Sequence, residues 1–244
     1  AQDYVKPRLY NECLHGIGHA LMFITDADLP KSLELCDALD SVSQEKEACY
    51  GGAFMENSSS STNQDHPSKY IDKNNPLYPC TILNKSYSKL CYQYQSSYFA
   101  EITHGDWGKT IALCNQVPLA YRDGSILIIG ANQVGATQDL MKMKDTCELS
   151  SDPLFRAQCV RGVINSLGGR YPDDLLRMHA FCALVDAANQ KYCYTVMGNI
   201  LQTWERNPEK QKNICDRIPD MRAAQWCREG AVYQFQSPNS FSNK

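Results

Sequence analysis

Two histidines four residues apart, with a methionine three residues further on, mark the segment Cys13-Leu14-His15-Gly16-Ile17-Gly18-His19-Ala20-Leu21-Met22. On an α-helix, positions i, i+4 and i+7 share one face. His15 and His19 could therefore grip one metal ion, and the Met22 thioether one turn on would favour Cu(I). In the related segment that starts at Cys49, Met55 takes the place of His19, with Glu56 beside it. A copper or zinc site of His15, His19, Met22, Met55 and Glu56 is one reading. In the other, the histidines line a polar surface or bond locally, and both methionines belong to the core. H-x-x-x-H lacks the glutamate of the H-E-x-x-H zinc-protease motif, so the pair does not signal a peptidase.

The cysteines carry the second pattern. There are 12 in 244 residues and no C-x-x-C, the spacing that zinc ribbons, thioredoxin-like motifs and haem attachment require. Ten fall into consecutive pairs: Cys36/Cys49, Cys80/Cys91, Cys147/Cys159, Cys182/Cys193 and Cys215/Cys227. Disulfides are the better account, which implies an oxidising compartment. Each would close a loop of about a dozen residues, worth roughly 3 kcal/mol in the chain-entropy model. Cys13 and Cys114 are left over. Either they bridge each other, or Cys13 has lost a partner upstream of Ala1.

These chemical groups need a frame, and the flanks of the pairs supply it. An aliphatic residue follows three positions after the first cysteine of most pairs (Leu39, Leu83, Val185, Ile218), and Gly52, Gly162 and Gly230 follow three after the second. Cys13-Leu14-His15-Gly16 fits the second half of the unit, as does Tyr121-Arg122-Asp123-Gly124, with Tyr121 in the cysteine's place. The unit reads as a short helix, such as Lys31–Leu39 or Leu175–Val185, then a longer one, such as Glu45–Asn57 or Asn189–Trp204. Helix starts are expected at Asp28-Leu29-Pro30, Asp152-Pro153, Tyr171-Pro172-Asp173 and Asn207-Pro208, and His104-Gly105-Asp106-Trp107 reads as a turn capped by Asp106. Alternating β-branched runs are scarce. The expected fold is all-α, an α-solenoid of about seven helical hairpins in one domain over 1–244, with the staple and its glycine tying the two helices of each hairpin.

This pattern resembles the Sel1-like and tetratricopeptide-like helical repeats, particularly cysteine-rich bacterial proteins in which every hairpin carries its own disulfide. The resemblance implies a curved α-solenoid used for binding and implies no catalytic residue.

Residues 57–79 interrupt the repeat as a polar insertion, which marks a functional loop or a linker. Asn57-Ser58-Ser59 and Asn84-Lys85-Ser86 match the N-glycosylation pattern. Aligned on the face of His15 and His19, later units offer Gln93, Ser97, Asp123, Arg161, Asn165, Thr195, Asn199 and Glu229. This row reads either as the inner wall of a superhelix, where solenoids bind protein or peptide partners, or as a solvated outer face.

Composition narrows the classes. A formal net charge of -3 and no long basic run argue against nucleic acid as a partner. The longest apolar run, around Ile126–Gly130, is too short to cross a bilayer. The opening Ala1-Gln2-Asp3 reads as a mature end after signal-peptide removal, which places the protein in the periplasm or outside the cell. Three functions follow in order: a non-enzymatic binding scaffold, alone or as a subunit of a larger assembly; a copper- or zinc-binding protein; and a hydrolase or transferase acting in the groove.

Overall fold

Short polar side chains punctuate the chain just ahead of most helices and set where they begin. Asp28, Asp106, Asp139, Asp152, Asp174, Asp186 and Asn207 each accept a hydrogen bond from a backbone N–H of the first turn that would otherwise lack a partner. Three of these helices also carry proline at the first or second position. The computed structural model describes residues 5–39, 43–60, 67–171, 174–203, 205 and 207–232. Among them there is no strand, so the fold is all-α as expected. The helix start expected at Pro172-Asp173 and the expected end at Trp204 lie outside the described residues.

The helices are α1 (Val5–Ile24), α2 (Leu29–Asp37), α3 (Ser43–Ser59), α4 (Ser88–Ile102), α5 (Trp107–Cys114), α6 (Leu119–Ala136), α7 (Leu140–Glu148), α8 (Pro153–Arg170), α9 (Leu175–Leu184), α10 (Ala187–Leu201), α11 (Pro208–Cys215) and α12 (Met221–Val232). A 3-10 turn covers Lys85–Tyr87. Short and long helices alternate from α2 onward, with one exception: the second staple-bearing segment has no first helix. Cys80 lies in a run of turns there and reaches Cys91 on α4. All five expected disulfides form, with Cα–Cα distances of 5.4–5.8 Å.

The chain groups into two compact halves, Ala1–Ile129 and Gly130–Lys244, and the division falls inside α6. In the first half Leu29, Leu33, Phe54, Tyr92, Phe99 and Val117 form the buried core. In the second, the fully buried side chains include Phe155, Ile164, Leu167, Met178, Phe181, Met197 and Leu201.

Within each half the long helices pack on one another, α1 on α3 and α3 on α4 in the first, α8 on α10 and α10 on α12 in the second. Glycine makes the closest of these seams. A Cβ on Gly18 would lie 2.0 Å from the Cys49 carbonyl oxygen, one on Gly130 2.0 Å from that of Cys159, and one on Gly198 1.8 Å from that of Cys227. The relation is reciprocal, because Gly52 meets the His15 carbonyl and Gly230 the Thr195 carbonyl, each at 1.9 Å. The sequence reading placed this glycine between the two helices of one hairpin. It lies instead between the long helices of successive repeats, while the staple ties the two elements of one hairpin.

The same seams correct the register around Cys114. Gly18 and Gly198 each stand five residues after a second-position cysteine, so Gly130 sets the equivalent position at Ser125. Ser125 is fully buried, hydrogen-bonds Cys114, and donates to the Tyr92 carbonyl at 2.7 Å. The separation of Cys114 and Ser125 is 125 − 114 = 11, the same as in two of the staples. The missing cysteine is therefore replaced by Ser125, not Tyr121. Tyr121 is in the first turn of α6, one turn too early to face Cys114, and stacks on Tyr92 at 5.5 Å. The Cys13–Cys114 bridge does not form: Cys114 is a buried free thiol and Cys13 an exposed one. Burial, the main cause, pushes the Cys114 thiol up to about 12, so it stays protonated and inert.

The insertion at 57–79 is largely built into the fold. Helix α3 continues through Ser59, and Asn57 is 1% exposed, with its amide donating to the Tyr70 carbonyl and its oxygen accepting from Ser68. That burial takes Asn57 away from any glycosyl transfer, whereas Asn84 is exposed and caps the 3-10 turn. Gln95 donates to the carbonyls of Pro76 and Tyr78, fastening the loop to α4. Residues 61–66 lie outside the described residues.

Candidate functional site

The place of the first helix against the third is set by glycine. Gly18 and Gly52 let α1 and α3 meet backbone to backbone, which brings the side chains on either side of the contact into one cluster. His19 Nδ1 lies 2.7 Å from Glu56 Oε2, and His19 Nε2 lies 3.3 Å from His15 Nε2. The other side of the His15 ring faces α3, where a Cβ on Gly51 would be 3.4 Å from Nδ1. His15 also hydrogen-bonds the Ala48 backbone in the same turn. Tyr94 of α4 closes the cluster, its ring tilted against His15 at 6.4 Å between centroids.

The electrostatics favour neutral imidazole at His15. Burial is the largest cause of a pKa held below the usual histidine value, and the neighbouring His19 adds to it. Burial likewise raises the Tyr94 phenol, with the Glu12 carboxylate adding to it, so Tyr94 is a neutral hydroxyl at any ordinary pH.

Of the five residues proposed from the sequence as metal ligands, the structure brings His15, His19 and Glu56 together and leaves the methionines out. Met22 is 2% exposed and packs in the core with Leu29, Leu33 and Phe54. Met55 is 44% exposed. Glu56 bonds the far nitrogen of His19 rather than the space between the rings. Among the described residues, no group of three or more His, Cys, Asp or Glu is disposed around a common point.

The eight residues of the expected polar face share one property: Gln93, Ser97, Asp123, Arg161, Asn165, Thr195, Asn199 and Glu229 are all half-buried. Seven of them follow a second-position cysteine by two or six residues, as His15 and His19 follow Cys13. Asp123 does not. With Ser125 as the anchor, the equivalent positions are Leu127 and Ala131, so the polar row is broken at α6. It is broken at α3 as well, where Gly51 and Met55 occupy them. The row runs beside the seams: Thr195 presents its carbonyl to Gly230, Gln93 lies within 3.5 Å of a Cβ on Gly124, and Glu229 reaches Lys191 at 3.7 Å.

Two features escaped the sequence reading. Asp37, the last residue of α2, accepts hydrogen bonds from both Tyr50 on α3 and Tyr87 in the 3-10 turn, while Lys46 donates to its backbone carbonyl. Burial, and after it Asp37, raises both phenols, Tyr87 to about 12. The other is a groove of about 790 Å³ in the first half, whose walls include Lys73, Pro76, Glu101, His104, Lys109 and Leu113. His104 stands on it in a left-handed turn that continues into Gly105, φ 54° and 75°.

No described helix is long and apolar enough to cross a membrane. Comparison of the chain with protein-family models, with curated proteins and with solved structures finds no match.

Proposed function

We propose that this chain is a disulfide-stapled α-solenoid of seven repeats that works outside the reducing cytosol as a binding scaffold, holding a protein or peptide along the face of its long helices. In this reading each half offers its own long helices as the binding face, α1, α3 and α4 in the first and α8, α10 and α12 in the second, and carries its staples to the short elements. The observation that carries it is the half-burial of seven polar residues, Gln93, Ser97, Arg161, Asn165, Thr195, Asn199 and Glu229, two or six positions after the cysteine anchors of α4, α8, α10 and α12. A solvated outer face would leave such residues exposed, and a core would make them apolar. Half-buried polar groups in a recurring row are what a concave recognition surface presents to a partner's backbone and side chains. Five local disulfides give the second support, since they persist in the periplasm or the extracellular space.

The test is co-purification from the native host, comparing the unmodified chain with an Asn165→Arg/Asn199→Arg double variant and with Lys142→Glu on α7. The expected result is a partner that is lost with the double variant and kept with Lys142→Glu. Absence of any partner, or a partner indifferent to the double variant, refutes the reading, as would a turnover activity abolished by His15→Ala.

A further inference from the structure

The two histidines face each other through their Nε2 atoms, and each ring is held from behind. On the far side of His19, the Glu56 carboxylate accepts from Nδ1 at 2.7 Å. On the far side of His15, the ring nitrogen turned toward α3 is Nδ1, and the Ala48 carbonyl is its acceptor there. Both Nδ1 atoms point away from the pair, so the atoms left to share a ligand are the two Nε2. They lie 3.3 Å apart, close enough to share one hydrogen bond or one ion. A positive centre placed between them satisfies both.

The spacing says which kind. Two nitrogens bonded to one ion at the usual 2.0–2.1 Å and separated by 3.3 Å subtend roughly 104–111° at that ion, close to the tetrahedral angle of zinc. Histidine ligands almost always donate their other ring N–H to a carboxylate or a backbone carbonyl, and here one does each. The soft thioether that would favour Cu(I) is absent from the pair, because Met22 is committed to the core.

From this geometry we infer that His15 and His19 chelate one zinc-type divalent ion through their Nε2 atoms, with Glu56 and the Ala48 carbonyl as the groups that orient them. Two coordination positions stay with water or with a donor brought by a bound molecule, since no third His, Cys, Asp or Glu joins the pair among the described residues. The ion would lie on α1 in register with the polar row, because His15 and His19 stand two and six residues after Cys13.

Calorimetric titration of the full, untagged chain with zinc sulfate at pH 7.5 tests this. The expected result is one ion per chain, lost in His15→Ala and in His19→Ala, and bound about 10–100-fold more weakly in Glu56→Gln. Far-UV circular dichroism of each variant shows whether α1 keeps its place. Long-range nitrogen-15 spectra of the unmodified chain, which need no substitution, should show both Nε2 resonances moving on zinc addition while both Nδ1 stay protonated. No zinc uptake, uptake that survives both alanine variants, or imidazole resonances unmoved by zinc would each overturn the inference. None of these outcomes bears on the partner-binding reading, which is read from a protein and not an ion.

Discussion

Helix α1 contains two glycines, Gly16 and Gly18, that a propensity scale treats alike and the structure treats as opposites. Replacing either by alanine in a helix interior recovers about 0.8–1.0 kcal/mol of backbone preference. At Gly16 nothing lies within 4 Å of the added methyl, so the gain should be realised: Gly16→Ala stabilises by about 0.5–1 kcal/mol. At Gly18 the methyl would lie 2.0 Å from the Cys49 carbonyl oxygen and 2.7 Å from the Ala53 nitrogen, both backbone atoms that no rotamer change can move. Restoring ordinary contact requires α1 and α3 to part by more than an ångström, which shears the cluster of His15, His19 and Glu56 and loosens the seam along its length. Overpacking of this kind costs typically 1–3 kcal/mol or more, which exceeds the propensity gain. Gly18→Ala should therefore destabilise by about 1–2 kcal/mol net. Guanidinium denaturation followed by circular dichroism reads the two midpoints against the unmodified chain. Equal shifts in the same direction would refute the reasoning, because they would mean that α1 and α3 do not meet at Gly18.

Ser125→Cys should complete a sixth staple with Cys114, reducing the free thiols counted in denaturant from two to one. The new bridge would add about 3 kcal/mol, less about 1 kcal/mol for the hydrogen bond that Ser125 gives Tyr92; a count of three thiols would show that the register is wrong. Tyr87 should titrate near pH 12, read as absorbance at 295 nm, and Asp37→Asn should bring its pKa down toward the ordinary tyrosine value. The sign follows from linkage: a phenol whose pKa is raised in the fold keeps its proton after the unfolded chain has lost it. Its contribution is thus full below about pH 10 and is lost as the pH rises through about 12.

The staples were legible in the sequence because cysteine spacing is a local quantity, and the same holds for Asp28, Asp106, Asp152 and Asn207, whose caps depend on the next two or three residues. What spacing could not convey is which helix the next contact belongs to. Gly52 and Gly230 announced a close approach but not that it was to the preceding long helix. The substitute for the missing cysteine was sought among aromatics at Tyr121, because the flanking Gly124 mimicked the repeat; the buried hydroxyl of Ser125 was the true marker, and only its contacts with Cys114 and Tyr92 reveal it. Asn57 read as a loop residue because serines follow it, yet α3 extends far enough to bury it. The convergence of Tyr50 and Tyr87 on Asp37 spans fifty residues and has no periodicity to betray it. At the candidate metal site the helical spacing correctly paired His15 with His19, while Met22 was claimed by the core beneath, a competition that a single helix face does not display.

The scaffold reading rests on five long helices, α3, α4, α8, α10 and α12, each bolted by a disulfide to the short element just before it. Peptide mapping under non-reducing conditions, on protein taken from its native compartment with thiols blocked at lysis, tests that most directly. The structure predicts the five pairs Cys36–Cys49, Cys80–Cys91, Cys147–Cys159, Cys182–Cys193 and Cys215–Cys227, with Cys114 recovered as a blocked thiol. A pair that joins two different repeats, such as Cys13 with Cys114, or recovery of the ten staple cysteines in reduced form, would contradict it.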